Sequence, residues 1–373
     1  MTALPTMRED LDTLERAGLR RELAPRHGHD FSSNDYLGLA ASPQLREAAR
    51  AALDRGVAIG SGGSRLLRGN TPEHEALEAE AAAFFGAERA LFLGSGYAAN
   101  SLLFSTLPRR GDCIVHDALI HASAREGMRL GVAENIAFAH NDPATADEAI
   151  TAWRHRGGIG TPWIAIESLY SMDGDRAPLA EFAALARQHD AMLLIDEAHA
   201  TGLYGPVGRG LAADLDGRGD VVTLRTFGKA LGCEGAAILG PATVCDMLIN
   251  RGRGFIFSTA PSPLIAAVAR AALRIVGQSE DRRSQLDARV AYATRAFARL
   301  GVTPSGSAIQ PVVIGDDRAA MAIASALQAD GFDVRGIRPP TVPVGTARLR
   351  VSLTLNTDEA AISDLVAALA HRL

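Results

Sequence analysis

The sequence predicts an α/β protein, with a mostly parallel sheet in a large domain and a smaller α+β C-terminal domain. Three observations predict it. From residue 89 onward, short apolar runs alternate with stretches of helical period, the pattern of strands joined by crossover helices. The small residues Gly94, Ser95 and Gly96 mark the turn where the first of those runs opens into a helix. Near residue 265 the alternation gives way to a long helix followed by a second, shorter set of strands and helices. At 373 residues the chain is long enough for two units with a sizeable core. The expected division is 1–40 as an N-terminal helix and arm, 41–265 as the large domain and 266–373 as the small one.

Taken in order, residues 8–23 read as an amphipathic helix with Leu11, Leu14, Leu19 and Leu23 as its packing face. Ser42 and Pro43 form an N-cap and first-turn proline, opening a helix to about Leu53. The segment from Ile59 to Arg65 is glycine-rich but has no P-loop lysine, and it reads as a turn. A helix follows over 72–85. Candidate strands then lie at 89–93, 113–116, 136–139, 163–167, 192–196, 221–224 and 236–239, with helices at 143–156 and 178–189 between them. Residues 250–263 read as loop. Leu264, Ile265, Val268, Ala272 and Ile275 then recur at helical spacing.

Composition narrows the function classes. A hydrophobic content of 47% with 22% charged residues is ordinary globular composition. A net charge of −5 supplies no basic field for nucleic acid. Cys113, Cys233 and Cys245 are too few, and odd in number, for a disulfide framework. The first residues are polar rather than signal-like, and no apolar run approaches a membrane span. The expectation is a cytoplasmic protein without membrane or nucleic-acid partners. No histidine spacing points to a metal site.

Of the 38 basic residues only one, Lys229, is a lysine. A lone lysine is ordinarily a surface charge, but a desolvated lysine amine can lose its proton and attack a carbonyl, which arginine cannot do. Two neighbours matter, because ligands of open α/β sheets bind at the strands' carboxyl edge. Residues 94–100, GSGYAAN, turn from a strand into a helix and leave free amides suited to a phosphate. Asp196 ends an apolar strand, where a carboxylate is costly without a cationic partner, and His199 follows three residues later. A capping aspartate and a core histidine would read the same way. A phosphate seat, a buried Asp and one Lys together suggest pyridoxal phosphate, which pairs a lysine Schiff base with an Asp at the pyridine nitrogen.

The motifs FSSNDYLGL, GSGGSR, SGYAAN, HAS, SMDGD, DEAH, TFGK, IRPPTVP and TARLR, spread from Phe31 to about Leu353, carry a resemblance. The chain is similar to the α-oxoamine synthase family of fold-type I pyridoxal-phosphate enzymes. The resemblance implies that Lys229 anchors pyridoxal 5'-phosphate and then acts as base at the substrate Cα. It implies that Asp196 pairs with the ring nitrogen, His199 with the phenolic oxygen, and that His121 stacks on the ring. Gly96, Tyr97 and Thr226 would hold the phosphate, with Ser171 against the cofactor and Thr259 reaching the phosphate across a homodimer. Arg350, with Asn34 nearby, would bind the amino-acid carboxylate, and Arg20, Arg338 and Thr341 would contact substrate. Family members can carry Gly after the DEAH motif where this chain has Ala200, and a methyl is tolerated there unless the backbone needs positive φ. The reaction implied is condensation of L-alanine with pimeloyl-CoA or pimeloyl-acyl carrier protein, with loss of CO2. Alternatives are a sibling that uses glycine, or a non-catalytic cofactor-binding regulatory module.

Overall fold

The computed structural model describes residues 3–23 and 25–373. Its elements begin with helix α1 (Ala3–Arg16), strand β1 (His29–Asp30), and helices α2 (Pro43–Asp54) and α3 (Pro72–Phe85). Next come β2 (Arg89–Leu93), α4 (Gly96–Thr106), β3 (Cys113–Asp117), α5 (Ala122–Leu130), β4 (Glu134–Phe138) and α6 (Pro143–His155). They are followed by β5 (Pro162–Glu167), α7 (Leu179–Gln188), β6 (Met192–Asp196), β7 (Val221–Thr226) and β8 (Ala236–Gly240). Helices α8 (Ala242–Arg251), α9 (Arg253–Ile256), α10 (Pro263–Gly277) and α11 (Glu280–Ala298) follow. The chain ends with β9 (Ile309–Gly315), α12 (Asp317–Ala329), β10 (Phe332–Asp333), β11 (Arg335–Ile337), β12 (Ala347–Ser352) and α13 (Glu359–Ala370).

Seven strands form the main sheet in the order β2-β8-β7-β6-β5-β3-β4. Only β8 runs antiparallel to its neighbours, so the sheet is mostly parallel, as expected. Its faces separate by residue parity. Leu194 and Val222 pack toward α4, α5 and α8, while Leu193, Ile195 and Val221 pack toward α6 and α7. Burial on both faces explains why these strands read as continuous apolar runs. A further core joins Phe31, Tyr36 and residues of α3 and α10 to β9, β12 and α13. The expected boundary near residue 265 falls at the start of α10.

Two expectations need correction. The first helix spans Ala3–Arg16, not 8–23, because the chain reverses at Gly18, whose φ of +67° is left-handed. None of its residues is buried and Leu23 is fully exposed, so the packing expected of its leucines is not made among the described residues. The stretch 250–263 is only partly loop, since α8 extends to Arg251 and the single turn of α9 follows. Elsewhere boundaries differ by a residue or two, with β7 extended to Thr226. The 59–65 turn docks on the loop before α10, where the Ser61 hydroxyl donates to the Ala260 and Pro261 carbonyls at 2.9 and 2.6 Å.

Charge is buried in two networks at the sheet. Arg225 on β7 is fully enclosed, and its guanidinium meets Glu197 at 2.6 Å and Asp216 at 2.8 Å. The second network pins the loop after β5. His140 reaches Asp117 at the end of β3 and Asp175 in that loop, each at 2.8 Å. Burial opposes a charge on this imidazole, but hydrogen bonds to the two carboxylates and their charge outweigh it, and its pKa is pushed up to about 10. Because the value is raised on folding, the stabilisation is fully present below the unfolded value near 6.5 and is lost as pH rises through about 10. Urea unfolding should therefore show the natural chain losing stability between neutral pH and about pH 10 relative to His140→Gln. Parallel pH dependences of the two proteins would refute the assignment.

Candidate active site

The carboxyl edge of the sheet gathers the chemistry. Asp117, Glu167, Asp196 and Thr226 close β3, β5, β6 and β7, and the Gly94–Ser95 turn follows β2. Glu167, Asp196, Thr226 and the Gly94–Ser95 turn line a cavity of about 450 Å³, within the usual size of small-ligand pockets. Its lining brings together Gly96, Tyr97, His121, Asp196, His199, Thr226 and Lys229, all anticipated from the sequence.

Each side chain is placed for a local reason. Thr226 ends β7, and the chain turns at Phe227–Gly228, with the Phe227 amide bonded to the Gly235 carbonyl at 2.9 Å. This turn presents Lys229, whose Nζ lies 2.8 Å from His199 Nε2. Burial lowers the Lys229 pKa to about 8, against the raising influence of the Asp196 charge. His199 is itself buried, and desolvation followed by the neighbouring Lys229 and Arg350 charges holds its pKa well below the usual histidine range. The pair is therefore a neutral imidazole against an amine poised near neutrality. Tyr36 extends the chain, with its hydroxyl 2.7 Å from His199 Nδ1 and 3.1 Å from Asn34 Oδ1. Ala200, next to His199, is buried and does not have positive φ, so its methyl is accommodated.

Asp196 was expected to need a cationic partner. Instead, Asn100 donates to its Oδ2 at 2.8 Å and the Ala198 amide to its Oδ1 at 2.9 Å. Both donors are neutral, so the charge-balancing partner of this carboxylate has to come from the cavity side. Asn100 also donates to the Ser123 hydroxyl at 3.0 Å, which lies 2.7 Å from His121 Nδ1. His121 caps α5 and lies open to the cavity.

The N-terminus of α4 supplies an anion seat. Ser95 caps the helix through the Ala98 amide, and the first-turn amides of Gly96 and Tyr97 have no intrahelical partner. Gly96 is required by close packing, because a Cβ there would meet Thr226 Cγ2 at 2.7 Å. A Cβ at Gly94 would meet nothing within 4 Å. Free helix amides, the Thr226 hydroxyl, a carboxylate lacking a cation and a desolvated lysine fit a phosphorylated pyridine aldehyde.

Of the other anticipated residues, Asn34 and Arg350 line neither this cavity nor the next one but meet each other beside Tyr36. Arg350 is buried on β12 and directs Nε to the Ser171 carbonyl at 2.6 Å and a terminal nitrogen to Asn34 Oδ1 at 3.0 Å. Ser171 and Thr341 line a second cavity of about 450 Å³ that shares His121 with the first. Three more anticipated residues lie outside both cavities. Arg20 is exposed, ion-paired with Glu15, and lines neither cavity. Arg338 is buried and lines neither as well. Thr259 is exposed and lines a separate space with Gly94 and Ala98. The sequence reasoning passed over Tyr36, Asn100, Ser123 and Glu167. Tyr36 and Asn100 sat inside quoted motifs, and Glu167 ends an apolar strand just as Asp196 does.

The aminotransferase class I and II family profile matches residues 26–369. The chain is 43% identical to 8-amino-7-oxononanoate synthase of Anaeromyxobacter dehalogenans (strain 2CP-1 / ATCC BAA-258), over 99% of this chain and 95% of that one. It is also 43% identical to the enzyme of the same name from Geobacter sulfurreducens, over 91% and 87%. The chain belongs to the 8-amino-7-oxononanoate synthase family. Solved structures agree with that placement. An 8-amino-7-oxononanoate synthase from Francisella tularensis superposes with a TM-score of 0.77 at 25% identity, covering 92% of this chain and 97% of that one. A serine palmitoyltransferase from S. paucimobilis, solved with PLP bound, gives 0.87 at 27% identity over 98% and 96%. The fold is thus that of fold-type I transferases.

The depressed Lys229 pKa makes one prediction about the protein without cofactor. Its capture of an aromatic aldehyde, followed by absorbance, should rise with pH to a midpoint near 8. A midpoint near the ordinary lysine value of 10.5 would show that the amine is not desolvated.

Proposed function

We infer that this chain condenses L-alanine with a pimeloyl thioester to give 8-amino-7-oxononanoate, CO2 and free thiol, the acyl-transfer step of biotin synthesis. The observation that carries the inference is the desolvated Lys229 amine opposite an Asp196 carboxylate that only neutral protein groups contact. Asp196 would find its cationic partner in the ring nitrogen of bound pyridoxal 5'-phosphate. The amides of Gly96 and Tyr97 and the Thr226 hydroxyl would hold its phosphate, with Thr259 of the partner subunit reaching it in a homodimer. Asp196 would hold its ring nitrogen, His199 its phenolic oxygen, Lys229 its aldehyde carbon, and His121 and Ser171 would lie against it. When bound, the cofactor supplies an electron sink for negative charge on the carbon next to the substrate nitrogen.

The chain's own residues do the rest. The Arg350 guanidinium, steadied by Ser171 and Asn34, holds the alanine carboxylate as a charge-assisted pair. Lys229 Nζ, near its neutral form at physiological pH, takes the Cα proton and later returns one to product. Neutral His199, tied to Tyr36, keeps a second positive charge away from that amine.

The second cavity is the route proposed for the acyl thioester. Leu119, Ile120, Met172, Val342 and Pro343 give it an apolar wall, Thr341 and Arg125 give it polar groups, and it meets the first cavity at His121. Arg20 and Arg338, outside both cavities, are proposed as further contacts to substrate. No helix among the described residues is long and apolar enough to cross a membrane, and a cytoplasmic setting is proposed.

A substrate panel tests the reading: alanine, glycine and serine against pimeloyl-, acetyl- and succinyl-CoA, with products identified by mass. Alanine with pimeloyl-CoA should dominate, and a preference for glycine would favour a sibling synthase. Lys229→Ala should lose turnover by more than about 10²-fold, the scale of a lost general base. Arg350→Ala should raise KM for alanine well above any change in KM for the thioester. Equal changes in both would remove the carboxylate role.

A further inference from the structure

Glu167 is the carboxyl group that the mechanism leaves unused. It ends β5 directly opposite Asp196 in the β5/β6 register. Its side chain is 2% exposed and lines the Lys229 cavity. Oε2 accepts the Ser171 amide at 3.3 Å, and buried Oε1 has no partner. The charged and titratable groups facing it are Asp196 on β6, Lys229 beyond β7, Asp117 at the end of β3 and Tyr170 on the loop that follows β5. Two of these are carboxyls, and both are better hydrogen-bonded than Glu167: Asp196 holds the Asn100 and Ala198 N–H groups, and Asp117 holds the Leu119 and Asn141 amides and His140. Two neighbouring buried carboxyls do not both ionise, and the better-solvated one keeps the charge.

Glu167 also anchors a relay. The Ser171 amide it accepts belongs to the same residue whose carbonyl takes Arg350 Nε at 2.6 Å. Ser352 at 2.7 Å and Asn34 at 3.0 Å hold the two terminal nitrogens of the guanidinium, so displacing Glu167 loosens the Ser171 contact to Nε, the third of its anchors. We propose that Glu167 is a neutral carboxylic acid at physiological pH and the positioning residue that sets Arg350, through Ser171, for the carboxylate of the amino-acid substrate. The proposal rests on the reading of Arg350 given above. A neutral group suits the place, because it holds the loop without adding a second negative charge that would raise the pKa of Lys229. Desolvation and the Asp196 charge push the Glu167 pKa in the same direction, well above the carboxylate range.

The test compares the cofactor-loaded natural enzyme with Glu167→Gln and Glu167→Ala, each first shown to be folded by circular dichroism. Infrared difference spectra at neutral pH should show a protonated-carboxyl C=O band in the natural enzyme that is missing from Glu167→Gln. Calorimetric Kd for L-alanine, with no thioester present, should weaken about tenfold in Glu167→Ala, the effect of one lost buried hydrogen bond. Glu167→Gln keeps the acceptor and the neutrality and should recover most of that affinity, while KM for pimeloyl-CoA stays within about twofold. Absence of the band, alanine affinity unchanged in Glu167→Ala, or equal losses in both variants would overturn the proposal. Failure of the functional reading would look different: the natural enzyme itself would not bind alanine, which ends the positioning role, while the infrared band would still report the proton.

Discussion

Taking one amine out of water is the constraint on which this site depends. An ammonium at Lys229 is drawn to the Asp196 charge, yet burial outweighs that pull and lowers the amine's pKa to about 8. The nearest partner is His199, which burial keeps neutral. The enclosure therefore shifts the amine toward its unprotonated form, making that form accessible near neutrality, and it weakens the stabilisation an ion pair would give. The restriction of every other basic side chain to arginine sharpens the effect, because no competing side-chain amine can lose its proton near neutrality.

Much of this was legible in the sequence where chemistry is local. α3, β2 and β6 match their expected limits, because caps and apolar runs mark them within a few residues. Lys229, Asp196 and His199 converge because each follows a strand at one edge of a parallel sheet, which is a topological consequence rather than a local one. Failures came where a pattern was read through its own interruption. The leucines of 8–23 keep a helical period, but Gly18 breaks the helix, and no periodicity shows whether an apolar face finds a partner. The contacts of Tyr36 with His199 and of Asn100 with Asp196 were not legible, since they join residues 163 and 96 positions apart. Arg20 is a different case, an exposed side chain paired with Glu15. A matched motif position fixes a residue type, while the path of a short exposed linker decides where its side chain ends.

The loop between β5 and α7 connects what the sequence separates. Its Asp175 is pinned to the sheet by His140, Asp173 meets Arg348, and the Ser171 carbonyl meets Arg350. Arg348 and Arg350 both lie on β12, so one loop couples the cofactor edge of the main sheet to the strand proposed to hold substrate. Placement of the carboxylate-binding guanidinium is thus a property of both sheets. An error in the loop would misplace Arg350 without touching Lys229, which is how binding of the amino acid and competence of the amine can be separated.

His121 is the one residue that lines both cavities. Its Nδ1 is held by Ser123, which Asn100 ties in turn to Asp196, so its ring is fixed relative to the group proposed to set the cofactor. If the amino acid occupies the first cavity and the thioester enters by the second, the new carbon–carbon bond forms beside this ring. The room there decides which substituent Cα can carry, because a side chain held by two successive hydrogen bonds cannot swing away to admit a larger one. Choice between alanine and glycine then becomes a matter of volume at a rigid junction, since the Arg350 contact is the same for either amino acid.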